Sequence, residues 1–501
     1  MGPRVDPWLA NSFPGSDSEG EIPCCADGWF TALDRRHSWA YNIMHKNILR
    51  HGVRVSILSG FIDTIYTSLA GPGCAFYTKF AVLLGFSPMQ FSLMAALIQF
   101  AQLFQLLGIA LTSRLTSRKG VVLTMAYLSR ILAFGIGLLP FVLPTSGAVF
   151  AFFVLIFITA SLQAIGANAW TGWIADLVPI SIRGRFLSVR AQWALVAGAV
   201  TGFLFGGWID LFDPASISWV RSIRPYLQEM PFFSSANWPW AFLILFGIGT
   251  IVGIVATRIL QGQPEHPKEP ETMEFSRQLL QPFSDPNFRR LLVYGSWWML
   301  AIGIGAPFWG PYMLKNLGMS MVELQIYGIV TSVTSFLALR FWGRFVDRFG
   351  NKSAMRICIL MGGLNPLVWL FVHPGNIWIL YLEAASCGVM WSGANLVGFN
   401  LVLAIAPTDR RQAYTGVFGA FSGLGLMVTM LLSVLWMPNP LRMMGLELAP
   451  EQVLFGLTGL LRWTAQIPLV WVSEPRSVPM REVIQHILRF GQTTLRKWLP
   501  F

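Results

Sequence analysis

Long apolar runs alternate with short polar ones along most of this chain. Residues 80–113, 131–175 and 412–441 contain no Asp, Glu, Lys or Arg. One membrane-crossing helix needs about 20 mostly apolar residues. The run 131–175 therefore holds parts of two helices, divided at the turn around Pro144 and Gly147. The ten-residue alternation of a transmembrane barrel is not seen. Backbone amides in lipid must bond within their own segment, so helices are predicted. Twelve segments follow: 53–75, 88–112, 121–143, 147–170, 188–209, 238–259, 291–313, 322–342, 354–372, 376–398, 413–436 and 452–473. They predict an all-α polytopic membrane protein with bundles at 51–260 and 291–473. A polar tail (1–50), a polar linker (261–290) and a second tail (474–501) complete the chain. In the last, Val483, Ile484, Ile487, Leu488 and Phe490 alternate with polar residues. That spacing predicts either a helix lying along the membrane surface or a solvated tail.

Composition agrees with this pattern. Of 501 residues, 54% are hydrophobic and 12% charged, against about 25% charged in soluble proteins. A disordered chain, a nucleic-acid-binding protein and nearly all soluble enzymes are excluded. The net charge of +12 is unevenly placed. With the N-terminus inside, the outer loops carry only Lys79, Arg221, Arg224, Lys315 and Arg442. The other loops hold the basic excess expected on a cytoplasmic face. The expectation is a multi-pass protein of the plasma (inner) membrane, monomeric, with both termini cytoplasmic. The first 50 residues lack the apolar core of a secretory signal. The five cysteines are scattered and suggest no bridge, metal or cofactor site.

The halves repeat. Leu84-Gly85-Phe86-Ser87 precedes the second segment and Leu317-Gly318-Met319-Ser320 the eighth, at an offset of 233. The same offset carries the loop at Arg114–Lys119 onto Asp347–Lys352. Gly166-Ala167-Asn168 matches Gly393-Ala394-Asn395, and Pro179 and Arg183 match Pro407 and Arg411. Parallel six-helix repeats with a site between them near the midplane are one transporter plan.

Gly343–Lys352 reads GRFVDRFGNK. It resembles the signature loop of the major facilitator superfamily, G-x-x-x-D-R-x-G-R-K, placed where that family repeats it. The first-half copy, ALTSRLTSRK, keeps Arg118 and Lys119 but has Arg114 in place of Asp. PISIRGR from Pro179 resembles the family's basic loop between helices 4 and 5. The resemblance covers all twelve segments and implies alternating access by rocking of two bundles. It implies gating roles for Gly343, Asp347, Arg348, Gly350, Lys352, Arg114, Arg118, Lys119, Arg183 and Arg411. Asp347 would face a helix start in the other half, where the helix dipole favours it. Independently of the family, a tight turn here needs glycine, with Gly343 and Gly350 as candidates. The fifth segment carries Gly198, Gly202, Gly206 and Gly207, spacing that lets helices approach closely. It resembles the glycine pattern of proton antiporters, with Phe203 in place of their Pro.

Two acids sit well inside predicted helices, Asp63 and Glu383, with Arg130 and Arg462 as partner cations. A charge at the bilayer centre costs about 2.5–3.5 kcal/mol on insertion scales, so it is usually paired or functional. Asp63 is the favoured coupling or substrate carboxylate. Gln99, Gln102 and Gln105 form a polar stripe, and Gln163, Asn168 and Asn395 add amides that either line a polar cavity or bond helices together. The reading is a secondary active transporter for a small-molecule solute, driven by a proton or other coupling ion across the lipid bilayer. A non-transporting receptor or assembly factor is the alternative. A polytopic enzyme would need clustered His, Asp or Glu, and the six His are dispersed.

Overall fold

The computed structural model describes residues 30–105, 107–108, 111, 117–213, 226, 230–265, 280–407, 411–443, 446–474 and 477–486. Two compact units divide the chain, Met1–Arg50 and His51–Phe501. The first is described only from Phe30 onward, as helix. The second contains the helical bundle and both halves of the repeat.

The main helices are α1 (Phe30–Ala70), α2 (Ala75–Leu83), α3 (Pro88–Ala101), α4 (Arg118–Val142), α5 (Thr145–Leu177), α6 (Ile180–Asp210), α7 (Trp238–Leu260), α8 (Pro286–Gly303), α9 (Met321–Phe349), α10 (Asn351–Val368), α11 (Trp378–Ile405), α12 (Arg411–Leu435), α13 (Pro450–Thr464) and α14 (Gln466–Trp471). Each expected segment overlaps a helix. Among the described residues, nine helices are long and apolar enough to cross a membrane.

Local chemistry explains where the boundaries differ. α1 ends at Ala70, ahead of the expected 75, because Gly71-Pro72-Gly73 follows and Gly73 adopts φ +84°. The unexpected α2 fills that space. The expected 452–473 helix breaks into α13 and α14 at Ala465, three residues before Pro468. Proline has no N–H to bond the preceding turn. The expected 291–313 helix stops at Gly303, four residues before Pro307, which has no N–H to bond the Gly303 carbonyl. A two-strand hairpin, β1 (Leu441–Met443) and β2 (Leu446–Leu448), was not predicted; it is antiparallel, with Arg442 ion-paired to Glu447.

The repeated loops share one geometry. Gly85 and Gly318 take φ of +79° and +64°, where only glycine is unstrained. The next serine but one, Ser87 or Ser320, caps the following helix. Each forms a reciprocal capping box, with Gln90 and Glu323 respectively. The matched tetrapeptides therefore encode one helix-start device used twice.

Packing repeats as well. α4 packs along α5 and α7, just as α10 packs along α11 and α13. Between the halves, α3 packs on α12 and α6 on α9. The parallel repeat is thus a property of the fold. One aromatic-rich core, including Phe80, Phe152, Phe246, Phe308, Trp369 and Phe455, draws residues from both halves. It occupies the end of the bundle away from the signature loops. At the signature-loop end each core cluster stays within one half. Val483, expected either on a surface helix or in a solvated tail, is fully buried in the second-half core, and the Val478 amide donates to the Phe349 carbonyl at 3.0 Å. Ile487, Leu488 and Phe490 lie outside the described residues.

A Cβ at Gly318 meets nothing within 4 Å, so Gly318→Ala tests backbone strain alone. It is expected to lower stability by about 1–2 kcal/mol, seen as a depressed melting temperature of the detergent-purified protein. An unchanged melting temperature would contradict the left-handed geometry.

Candidate functional site

The polar centre of the first half is built two turns before the end of α1 and on the middle turns of α4. Asp63 and Arg130 form an ion pair there. Arg130 is 7% exposed, and the Asp63 side chain keeps 33% of its surface. Arg130 also donates to the Ala126 carbonyl at 2.8 Å and lies 4.7 Å from the Tyr66 ring centroid. The Tyr66 hydroxyl in turn accepts from Gln163 Nε2 at 3.1 Å. The guanidinium is thus held by charge, carbonyl and ring face together. These are the interactions that make a cation tolerable in a low-dielectric interior.

The pair lines a cavity of about 400 Å³ between α1, α4, α5, α6 and α7. Its wall includes Arg190 of α6, which lies over the Trp170 ring at 4.3 Å. All lining residues belong to the first half. Asp63, Arg130 and Arg190 all sit on first-half helices.

The second half treats its acid differently. Glu383 is 5% exposed and accepts from the Tyr327 hydroxyl at 2.8 Å. Arg462 was expected as its partner, yet the two form no ion pair. Instead Arg462 donates to the Gly362 carbonyl at 3.1 Å and sits between the rings of Trp298 and Trp391, 6.0 and 5.7 Å away. A hydroxyl and a carbonyl replace the direct contact of opposite charges.

The other sequence-predicted residues do not join Asp63. Gln99 and Gln102 lie in and just past α3, with Gln102 accepting from Gln105 Nε2 at 2.6 Å. Asn168 sits against Gly108, and Asn395 is exposed on α11. Of the amides, only Gln163 reaches the cavity. Among the described residues no group of three or more His, Cys, Asp or Glu is placed to hold a metal ion.

The signature loops organise helix ends. The Glu265 carboxylate accepts from the Lys119 amide (2.8 Å) and the Ser117 hydroxyl (2.9 Å) at the start of α4, and Lys119 Nζ donates to the Gln263 carbonyl at 3.1 Å. In the second half, the Glu474 carboxylate accepts from the Asn351 and Lys352 amides (3.1 and 2.7 Å). Lys352 Nζ donates to the Val472 carbonyl at 2.7 Å. Acid at a helix start and ammonium at a helix end both follow the dipole. Each device ties helices within one half. Arg118 pairs with Asp176 of α5, again within a half.

Gly350 adopts φ +84° and ends α9, as a turn glycine should. Gly343 does not serve the turn: α9 runs on to Phe349, so Gly343 is helical. Asp347 and Arg348 are exposed, and among the described residues Asp347 forms no ion pair. Arg183 and Arg411 lie in the first turns of α6 and α12, with side chains outside the described set. Arg114 also lies outside it.

At the far end the halves are clamped. Asp210, fully buried at the end of α6, accepts from the Met321 and Val322 amides of α9 at 2.8 and 2.9 Å. Ser92 of α3 donates to the Met430 carbonyl of α12. Gly202 and Gly206 of α6 face Gln325, Met321 and Val322 of α9. At this end, then, a carboxylate of one half sits on a helix start of the other.

Sequence reasoning missed Asp210 and Arg190 for the same reason. Each lies at the edge of an expected segment and reads as an interfacial charge. α6 begins eight residues earlier than expected, which carries Arg190 well into the helix.

The chain belongs to the Major Facilitator Superfamily, whose profile matches residues 55–430. Its structure is similar to that of a mutant form of the nucleoside transporter NupG, with 13% identity, 84% of this chain and 100% of that chain covered and TM-score 0.64. It is also similar to a D-xylose-proton symporter (17% identity, 85% and 97% covered, TM-score 0.57). A third neighbour is a POT family transporter solved with a thioalcohol-conjugated peptide (14%, 84% and 95%, TM-score 0.58). No curated protein matches the sequence significantly. Family and neighbours indicate a multi-pass membrane protein that transports, rather than an enzyme.

A double-mutant cycle on Asp63→Asn and Arg130→Gln checks the central pair. The expected coupling is about 0.5–3 kcal/mol in thermal stability. Strictly additive losses would mean that the two side chains do not stabilise each other.

Proposed function

We propose that this chain is a secondary active transporter that moves a small organic solute by alternating access, coupled to a proton or another ion through Asp63. The observation that carries this reading is the Asp63–Arg130 pair on the wall of the cavity. A carboxylate one-third exposed to that cavity is reachable by water and yet holds a buried cation. Protonating it removes the charge that anchors Arg130, so ion occupancy and cavity shape change together. The fold similarity to a proton symporter agrees with such coupling.

The gating scheme uses helix ends. Asp210 and Ser92 hold the far end shut in this conformation. Asp347, exposed and without an ion pair among the described residues, would engage the other half when the signature-loop end closes. Gly350, Lys352, Arg118 and Lys119 keep each bundle rigid so that it moves as a unit. Twelve crossings, cytoplasmic termini, a plasma-membrane location and a monomer complete the proposal. Charge placement supports the orientation.

The test is purified protein in liposomes holding a pH-sensitive dye, screened against a metabolite panel. At least one solute is expected to move protons, and Asp63→Asn should abolish proton movement with that solute. Solute-driven proton flux that survives Asp63→Asn would refute the coupling assignment.

A further inference from the structure

We infer that the first-half cavity is a binding site for a small organic monoanion, with Arg190 as the group that takes its carboxylate. The inference deepens the transport reading and rests on it for the cavity's purpose.

Charge balance is the starting point. The cavity wall holds two cations, Arg130 and Arg190, and one carboxylate, Asp63. Asp63 is ion-paired with Arg130. Among the described residues Arg190 forms no ion pair, and its Nε, buried against Gly60, has no hydrogen-bond partner. The cavity therefore carries one positive charge in excess. Asp63 also acts on Arg190, but one carboxylate balances only one of the two cations, and the cavity that Arg190 lines has room for a second anion.

The position of Arg190 suits recognition. Its guanidinium carbon lies over the Trp170 ring, and with Nε buried against Gly60 the terminal Nη1–Nη2 edge is the one that can meet a planar carboxylate with two donors. Gly60 of α1 makes room: a Cβ there would come within 2.4 Å of Arg190 Nε. The lining also includes the apolar Val122, Leu162 and Leu260, and Gln163 and Ser129 among its polar side chains. A carboxylate on a compact, partly apolar body fits these surroundings. A volume of about 400 Å³ restricts the ligand to a small molecule.

The test measures binding, with no transport step. Detergent-purified full-length protein is titrated calorimetrically with matched acid and amide pairs: benzoate and benzamide, 3-phenylpropionate and 3-phenylpropionamide, hexanoate and hexanamide, lactate and lactamide. At least one acid should bind, at least tenfold more tightly than its amide. Arg190→Gln should reduce the acid to the amide's level, and Arg190→Lys should retain part of the preference. Gly60→Ala, which keeps the arginine but displaces it, should weaken the acid at least tenfold while the protein still melts cooperatively. It therefore separates loss of the site from loss of the fold. No binding by any acid, equal binding of acid and amide, or acid binding unchanged in Arg190→Gln would overturn the inference. So would inorganic phosphate competing as strongly as the acid, because the site would then read charge alone. Flux of the same acid in liposomes is a separate measurement. An acid that binds as described without crossing leaves this site standing and the transport reading refuted; a neutral solute that crosses while no acid binds does the reverse.

Discussion

The cost of placing charge in a low-dielectric bundle governs this molecule. Each buried ion has to be compensated by something, and the two halves of a repeated fold do so by different means. In the first half Asp63 meets Arg130 directly, beside a cavity that leaves the carboxylate partly open. In the second half Glu383 is closed off under a tyrosine hydroxyl, and Arg462 is spent on a backbone carbonyl and two indoles. The first arrangement leaves a carboxylate partly exposed on a cavity wall. The second is a sealed polar contact that fixes helix packing. One backbone plan thus carries two different ways of compensating buried charge.

Helix ends do the mechanical part. The same chemistry, a carboxylate reaching from one segment onto the amides that start another helix, serves in two roles among the described residues. Glu265 and Glu474 use it within a half, where it stiffens a bundle. Asp210 uses it between halves, where it holds α6 to α9. The joint aromatic core adds apolar burial at that same end, while the clusters at the signature-loop end remain separate. Both features describe one conformation, packed at the end away from the signature loops.

Much of this was legible in the sequence, because lipid imposes simple rules. Charge-free runs predicted the helices, and the match of Gly85 to Gly318 marked a device whose positive φ admits little else. Asp63 and Arg130 stood out because charge is scarce there. What escaped notice depended on tertiary context. Arg190 reads as an interfacial basic residue until α6 is seen to begin at Ile180. Asp210 reads as a loop acid until its amide partners on α9 appear. Glu383 and Arg462 look like a natural pair by elimination, but no sequence pattern shows that Tyr327 and Gly362 intervene. Gly343 resembles a turn glycine because the family signature begins there, although the helix runs past it.

The central claim is that the Asp63–Arg130 cavity lies on the solute's path and is open to one side at a time. Ala167, exposed on α5 and lining that cavity, gives the most direct test. Ala167→Cys in a protein stripped of its five native cysteines would be treated with a membrane-impermeant thiol reagent from either side of oriented vesicles. The account predicts labelling from the signature-loop side in the resting state, protection by transported solute, and loss of flux once labelled. Equal labelling from both sides, or full labelling that leaves flux intact, would contradict it.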